Sequence, residues 1–252
     1  MALLTTDYYM YDRAVLGLQL SSFWASFRTA STGHTIERLK LMLSSYFSTR
    51  SEAPLLSFED LQPCLAFSNL RVMDINVGWN VDLTDSDLLT LASAWPCLES
   101  LSINMDWGWN TAAGIMPNGL LRLLESCRSL KRAALVIDPR GYTESLQSEE
   151  SIGLTPRRPF DISVLDSIIE AESVPAMATF FANISPRTDF CLDARITGPN
   201  QEVYRTRWWD ASVNYKLAVQ HCRDLDSAPQ LGPPSHSSIA KDRGDVTQHF
   251  LY

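Results

Sequence analysis

Apolar residues in the first two-thirds of the chain recur in one pattern. Each instance has one apolar residue, then two other residues, and then three apolar residues at every second position. The instances begin at positions 36, 70, 98 and 130, so they lie 34, 28 and 32 residues apart. Alternation is the period of a β-strand that points every second side chain to one face. The instances are Ile36, Leu39, Leu41 and Leu43; Leu70, Met73, Ile75 and Val77; Leu98, Leu101, Ile103 and Met105; Leu130, Ala133, Leu135 and Ile137; and a weaker fifth of Phe160, Ile162 and Val164.

Helix signals lie between these predicted strands. Ser57 and Thr84 each precede an acidic residue three positions on, a pattern typical of helix N-termini. Asn118 precedes a leucine-rich segment, and Ser173 precedes Pro175, a residue favoured in the first helical turn. Strands and capped helices therefore alternate. This predicts an α/β fold, a leucine-rich-repeat solenoid, in the form of a short horseshoe with parallel strands and outer helices.

The turn after each strand departs from the usual pattern of such repeats. They often carry Asn three residues after the last leucine, where its amide binds backbone groups. Here the corresponding residues are Gly78, Asp106 and Asp138. An ionised Asp accepts hydrogen bonds but donates none, so we expect an irregular solenoid.

The same pattern divides the chain. Residues 1–35 are rich in aromatic residues and are predicted to form an N-terminal helical cap. Residues 36–223 form the predicted repeat domain, with a polar loop at 138–159. Residues 224–252 are rich in Pro, Ser and Asp, which predicts a disordered tail.

Composition narrows the class of partner and the compartment. The net charge of −8 disfavours nucleic acid, because phosphate binding needs clustered Lys and Arg. The five cysteines are widely spaced, which favours reduced thiols and a cytoplasmic or nuclear location. No apolar run approaches the roughly 18 residues that span a bilayer, and the N-terminus lacks a secretory signal, so neither a membrane nor export is expected.

Enzyme motifs are missing from the sequence. It contains four histidines and no Gly-x-Ser-x-Gly, His-Glu-x-x-His, phosphate-loop or dinucleotide-binding pattern. The sequence therefore predicts a protein that is not an enzyme, with no cofactor and no metal. A hydrolytic enzyme is the alternative of a different class.

Several motifs resemble the divergent leucine-rich-repeat region of large fungal F-box protein families. They lie at Leu56–Leu61, Phe67–Leu70, Leu91–Leu101, Gly119–Cys127 and Val174–Ala178, within a resemblance that covers roughly positions 36 to 220. In those families an F-box helix bundle binds the adaptor of a cullin-type ubiquitin ligase, and the repeats capture the protein to be ubiquitinated. The first 35 residues show no Leu-Pro-x-Glu type F-box opening, so adaptor binding is not carried over. The resemblance implies a substrate receptor, and the alternative is a stand-alone repeat scaffold without a ligase link.

Candidate binding residues are those between the inward positions of each strand, which should line one common face. Two interpretations stay open for this face: a binding surface for an unknown protein ligand, or a solvated sheet face. The residues are Lys40, Met42, Asp74, Asn76, Ser102, Asn104, Ala134, Val136, Asp161 and Ser163.

Three tryptophans form a second candidate site. Trp79 and Trp107 are 28 residues apart, which equals the step from Leu70 to Leu98, so we expect them on one rim together with Trp109. Tryptophan is enriched at binding hot spots and also caps cores, and the sequence leaves both roles open.

Overall fold

The computed structural model describes residues 5–10, 36–43, 53–111, 114–142, 160–185, 192–193 and 200–227. The strands in this part of the chain are β1 (Thr5–Met10), β2 (Arg38–Leu43), β3 (Leu55–Ser57), β4 (Val72–Asn76), β5 (Asn80–Asp82), β6 (Ser100–Ile103), β7 (Arg132–Ala134), β8 (Asp161–Ser163) and β9 (Leu192–Asp193). The helices there are α1 (Phe58–Leu61), α2 (Asp85–Ala94), α3 (Pro117–Ser126), α4 (Val174–Ile184) and α5 (Gln201–Ser227).

The fold is a mixed α/β structure built on a parallel sheet. Within the described ranges this sheet has seven strands in the order β1-β2-β4-β6-β7-β8-β9, and β3 pairs with β5 in a separate parallel pair. Strands that follow one another along the chain are neighbours in the large sheet. The exceptions to this chain order are β3 and β5, which belong to the separate pair. Parallel neighbours need a crossover between them, and the capped helices occupy several of these crossovers.

Alternation decides which side of each strand faces the core. Leu39 of β2 pairs in register with Met73, Leu101, Ala133 and Ile162 of the following strands, and all five are buried. Every residue of the predicted apolar pattern with a described side chain is buried, except Met105, which is half-buried. The weak fifth instance forms β8, as predicted.

The helices pack against the core-facing side of the sheet. Their apolar sides join the same core as the inward strand residues, including Leu91 of α2, Leu120 of α3 and Phe181 of α4. Trp208 of α5 is buried, and its indole N–H donates to the carbonyl of Ser167 at 2.9 Å, which fixes this long helix to the body of the protein.

Helix N-termini follow the sequence signals in three cases out of the four predicted. Ser57 and Thr84 form capping boxes with Asp60 and Asp87, and Ser173 is the N-cap of α4. The prediction for Asn118 is wrong, because α3 begins at Pro117, with Met116 as its N-cap. The carboxylate of Asp85 in α2 accepts a hydrogen bond from the Met116 N–H at 2.8 Å, so the preceding helix supplies the cap.

A charge ladder reinforces the register where the strands begin. We use this name for Arg71, Glu99 and Lys131, each of which directly precedes the β4, β6 or β7 region of the sheet. The Glu99 carboxylate lies 2.7 Å from a guanidinium nitrogen of Arg71 and 2.7 Å from Nζ of Lys131. These two cations lower the pKa of Glu99, with the hydrogen bond from Lys131 as the largest cause.

Two boundary predictions need correction. Residues 5–10 form a strand that pairs in parallel with β2, so the predicted helical cap over 1–35 is wrong for this segment, and residues 11–35 lie outside the described residues. Thr5, Thr6 and the aromatic pair Tyr8 and Tyr9 are strand-favouring residues, a signal that the aromatic count obscured. Helix α5 continues to Ser227, so the predicted tail at 224–252 begins in a helix, and its remainder lies outside the described residues, as do positions 143–159 of the predicted loop.

Candidate functional site

The outer face of the large sheet, opposite the helices, carries a partly open groove of about 410 Å³. Five adjacent strands, β2, β4, β6, β7 and β8, contribute to its lining. We call it the sheet-face groove. Two rows of residues in register supply most of its lining: a first row of Arg38, Val72, Ser100, Arg132 and Asp161, and a second row of Lys40, Asp74, Ser102, Ala134 and Ser163. Leu101, Met105, Ala133 and Ile162 complete the lining.

Small side chains make the middle of this face a depression. Ser100 and Ser102 of β6 are half-buried, while Ala134 of β7 and Ser163 of β8 are only 5% and 7% exposed. Neighbouring strands lie about 4.8 Å apart, so the longer side chains on either side stand above these positions. A segment of another molecule can therefore approach the sheet backbone closely along β6.

One ion pair lies within the groove. Nζ of Lys40 is 3.8 Å from a carboxylate oxygen of Asp74, and both side chains are about one-third exposed. Partial burial raises the pKa of Asp74, and the Lys40 charge and a hydrogen bond from Ser102 oppose this effect. Asp106 adds a further increase to the pKa of Asp74 through charge repulsion. The long distance leaves Lys40 accessible to another acidic group.

The groove contains six of the ten residues that the sequence predicts for the outward face. Five of them lie in its second row and Asp161 lies in its first; the five are Lys40, Asp74, Ser102, Ala134 and Ser163. Met42 is half-buried at the next position of β2 and does not line the groove. Asn76 is only 6% exposed, because its amide donates to the Asp106 carboxylate and its side-chain oxygen accepts the Asp106 N–H. Its prediction as a surface residue is therefore wrong.

Asn104 and Val136 are also wrongly placed by the alternation. Asn104 is fully buried in a left-handed conformation (φ 54°) directly after β6 ends at Ile103, so the two-residue period stops there. Val136 is 2% exposed because β7 ends at Ala134 and the following residues pass into the core. Neither residue belongs to an accessible face.

Asn104 instead holds the turn together. Its Oδ1 accepts the N–H of Val77 at 2.9 Å, and its Nδ2 donates to the carbonyl of Trp79 at 2.6 Å. Its own carbonyl accepts the N–H groups of Trp107 and Gly108. This is the backbone-binding role that the repeat pattern assigns to Asn, but it occurs one residue after Ile103, two positions earlier than expected.

The tryptophans separate into core and surface. Trp79 is 6% exposed and Trp109 is fully buried, with its indole N–H donating to the carbonyl of Ile103 at 2.9 Å. The binding hypothesis is therefore wrong for these two residues, and the core-capping alternative holds. Trp107 lies in the turn after β6 and is partly exposed, so its role in binding stays a prediction.

A carboxylate from a distant turn fixes the loop after Trp107. The two oxygens of Asp166 accept the N–H groups of Trp109 at 2.8 Å and Asn110 at 3.0 Å. Gly108 and Asn110 both adopt positive φ, at 74° and 59°. A Cβ added to Gly108 would lie 2.6 Å from Cγ of Asp166, so only glycine allows this close approach.

Four outward residues of the groove were not predicted from the sequence: Arg38, Val72, Ser100 and Arg132. Each precedes a predicted outward residue by two positions, so the same alternation continued by one step toward the N-terminus would have found all four. They were not predicted because only residues between the last three apolar positions of each instance were taken as outward. These four residues directly precede the first of those positions.

The described cysteines do not form a metal cluster. Cys64 and Cys127 are buried and Cys97 is exposed, and all three are free thiols. Burial raises the pKa of Cys64, and the thiol of Cys127 lies 3.5 Å from the carbonyl oxygen of Trp95. Among the residues that the structure describes, no group of three or more His, Cys, Asp or Glu side chains could hold a metal ion.

The sequence matches no protein-family model and no curated protein sequence. Of the helices that the structure describes, none combines the length and apolar character needed to cross a bilayer.

Proposed function

We propose that this chain is a leucine-rich-repeat protein-interaction module that binds another protein in the sheet-face groove. The observation that carries the proposal is the groove itself, where five parallel strands in register present charged side chains around a floor of Ser and Ala. Charged side chains of both signs surround a floor of small side chains, which another polypeptide can approach closely. Such a groove suits an extended polypeptide better than a small apolar ligand, whose sites are mostly apolar and enclosed.

The assignment to the repeat class has separate support. Successive strands of the sheet come from successive parts of the chain, and capped helices precede β6, β7 and β9. The side chains of Trp95 and Cys127, at equivalent helix C-caps, both point to main-chain carbonyls of the preceding helical segment. Contacts repeated from one segment to the next are the basis of stability in stacked structures.

The resemblance to fungal F-box proteins suggests which partner is captured. It implies a protein that is delivered for ubiquitination, so the chain would act as a substrate receptor. The stand-alone scaffold stays the alternative, and a pull-down with the purified adaptor of a cullin-type ligase separates the two. Binding of the adaptor supports the ligase role, and no binding favours the scaffold.

The groove is tested by a matched pair of variants. Ser102→Trp fills the groove, while Ser129→Trp places the same side chain on an exposed turn after α3, outside it. Full-length protein is used to purify partners from cells of the source organism by quantitative mass spectrometry. We expect partners that Ser129→Trp retains and Ser102→Trp loses. Identical partner sets for both variants and the unaltered chain, with unchanged melting temperatures, would contradict the proposal.

A further inference from the structure

Two arginines in the first row of the groove make no ion pair with any residue that the structure describes. Arg38 and Arg132 are exposed, and neither makes an ion pair within the described part of the chain. The cations one position before the neighbouring strands behave differently, because Arg71 and Lys131 both bind Glu99 at 2.7 Å. Among the described residues, no ion pair therefore competes with a ligand for the guanidinium groups of Arg38 and Arg132.

Their spacing suits one shared anion. Strands β2 and β7 are three strand spacings apart in the sheet, so the backbones at Arg38 and Arg132 are separated by about 14 Å. Only Val72 and Ser100 lie between them in the row. Two arginine side chains that lean inward can converge above these short residues, where no larger side chain blocks them.

The charge of the groove differs from that of the whole chain. Its charged lining comprises the cations Arg38, Lys40 and Arg132 and the carboxylates Asp74 and Asp161, whereas the full chain carries a net charge of −8. The groove is thus locally more positive than the chain as a whole. Such a contrast directs an acidic segment of a partner to this one face.

We propose that the sheet-face groove binds an extended segment of a partner protein through an Asp or Glu carboxylate held between Arg38 and Arg132. This inference rests on the proposed function and specifies its ligand chemistry. A guanidinium binds a carboxylate through two parallel N–H···O bonds, which gives both affinity and orientation. A phosphate group offers the same kind of acceptor oxygens and more negative charge, so a phosphoserine peptide is the competing ligand in the test.

The test uses a short fluorescein-labelled peptide of alternating Glu and Ser, with fluorescence anisotropy as the readout. The variants are Arg38→Gln, Arg132→Gln and the double variant of the full chain, and Arg128→Gln is the matched control. Arg128 is exposed and lies outside the groove. Loss of a charge-assisted hydrogen-bond pair weakens affinity by about tenfold or more, so we expect that loss for each groove arginine and less than about twofold for Arg128→Gln.

Several outcomes would overturn the inference. These are no binding of the Glu peptide at about 1 mM, equal binding by the double variant, and tighter binding of the matching Lys or phosphoserine peptide. The partner experiment described above separates the two proposals. A native partner that is lost on Ser102→Trp but retained by the double arginine variant would refute the carboxylate site and leave the groove as a protein-binding surface.

Discussion

Replacement of Asn104 by Ala should be among the most destabilising single changes in the turn after β6. The side chain is fully buried and binds two main-chain groups from the preceding segment, the N–H of Val77 at 2.9 Å and the carbonyl of Trp79 at 2.6 Å. Ala removes both contacts. It also places a residue that disfavours positive φ at a backbone φ of 54°.

The magnitude follows from these contacts. A buried main-chain group that loses its hydrogen-bond partner costs about 1–3 kcal/mol, and the left-handed conformation costs Ala about 1 kcal/mol more. Two such groups and the left-handed conformation together give an expected loss of about 3–7 kcal/mol in the free energy of unfolding for Asn104→Ala. Because a domain is stable by only about 5–15 kcal/mol, this loss is easily measured.

Urea unfolding followed by tryptophan fluorescence provides the assay, with two control variants. Asn104→Gly loses the same hydrogen bonds but tolerates positive φ, so it should be about 1 kcal/mol more stable than Asn104→Ala. Asn104→Asp keeps an acceptor for the Val77 N–H, but its ionised form cannot donate to Trp79.

The Asp variant also predicts the direction of a pH effect. Burial raises the folded-state pKa of this carboxyl above its unfolded value of about 3.9. Relative to the unaltered chain, the destabilisation of this variant should therefore be smallest below about pH 4 and should grow as the pH rises through the folded-state pKa. A loss of less than about 1 kcal/mol for Asn104→Ala, or a Gly variant less stable than the Ala variant, would refute the assigned role of the turn.

Three further changes test other parts of the fold. Gly108→Ala should cost about 2–4 kcal/mol in urea unfolding, because its Cβ displaces Asp166, while Gly141→Ala, at φ 76° with open space around it, should cost only about 1 kcal/mol. Glu99→Gln should lower the free energy of unfolding by about 1 kcal/mol at neutral pH. Because the folded-state pKa of Glu99 is lowered, this difference should disappear as the pH falls below about 4.5. A difference that stays constant with pH would contradict the charge ladder. Trp79→Ala should lower stability by about 3–5 kcal/mol, as expected for a buried residue, and unchanged stability with lost partner binding would restore the surface interpretation.

Burial periodicity explains how much of the fold was predictable. The strands β2, β4, β6, β7 and β8 alternate between core and outer face, and this local rule is written in the apolar positions. Capping boxes at Ser57 and Thr84 are equally local, since each needs only a residue three positions away. Strand β1 lacks the apolar pattern and was missed.

Strand ends were less predictable because distant residues determine them. The chain leaves β6 at Asn104, whose partners lie 25 and 27 residues earlier, and the next loop is fixed by Asp166, 56 and 57 residues later. A pattern of neighbouring residues in the sequence does not indicate contacts over such distances. Asn104 and Val136 were therefore placed on the outer face by an alternation that had already ended.

Short strands also limit where binding specificity can lie. Each of the five groove strands offers two outward positions to the groove, so the two rows together contain ten residues. Half of these are Val, Ser or Ala, which set the depth of the groove and differ little in chemistry. Discrimination between partners then falls to the five charged residues, and only Lys40 and Asp74 of these neutralise each other. Substitutions among the other three should alter partner choice with little effect on folding, the reverse of what is expected for the buried tryptophans.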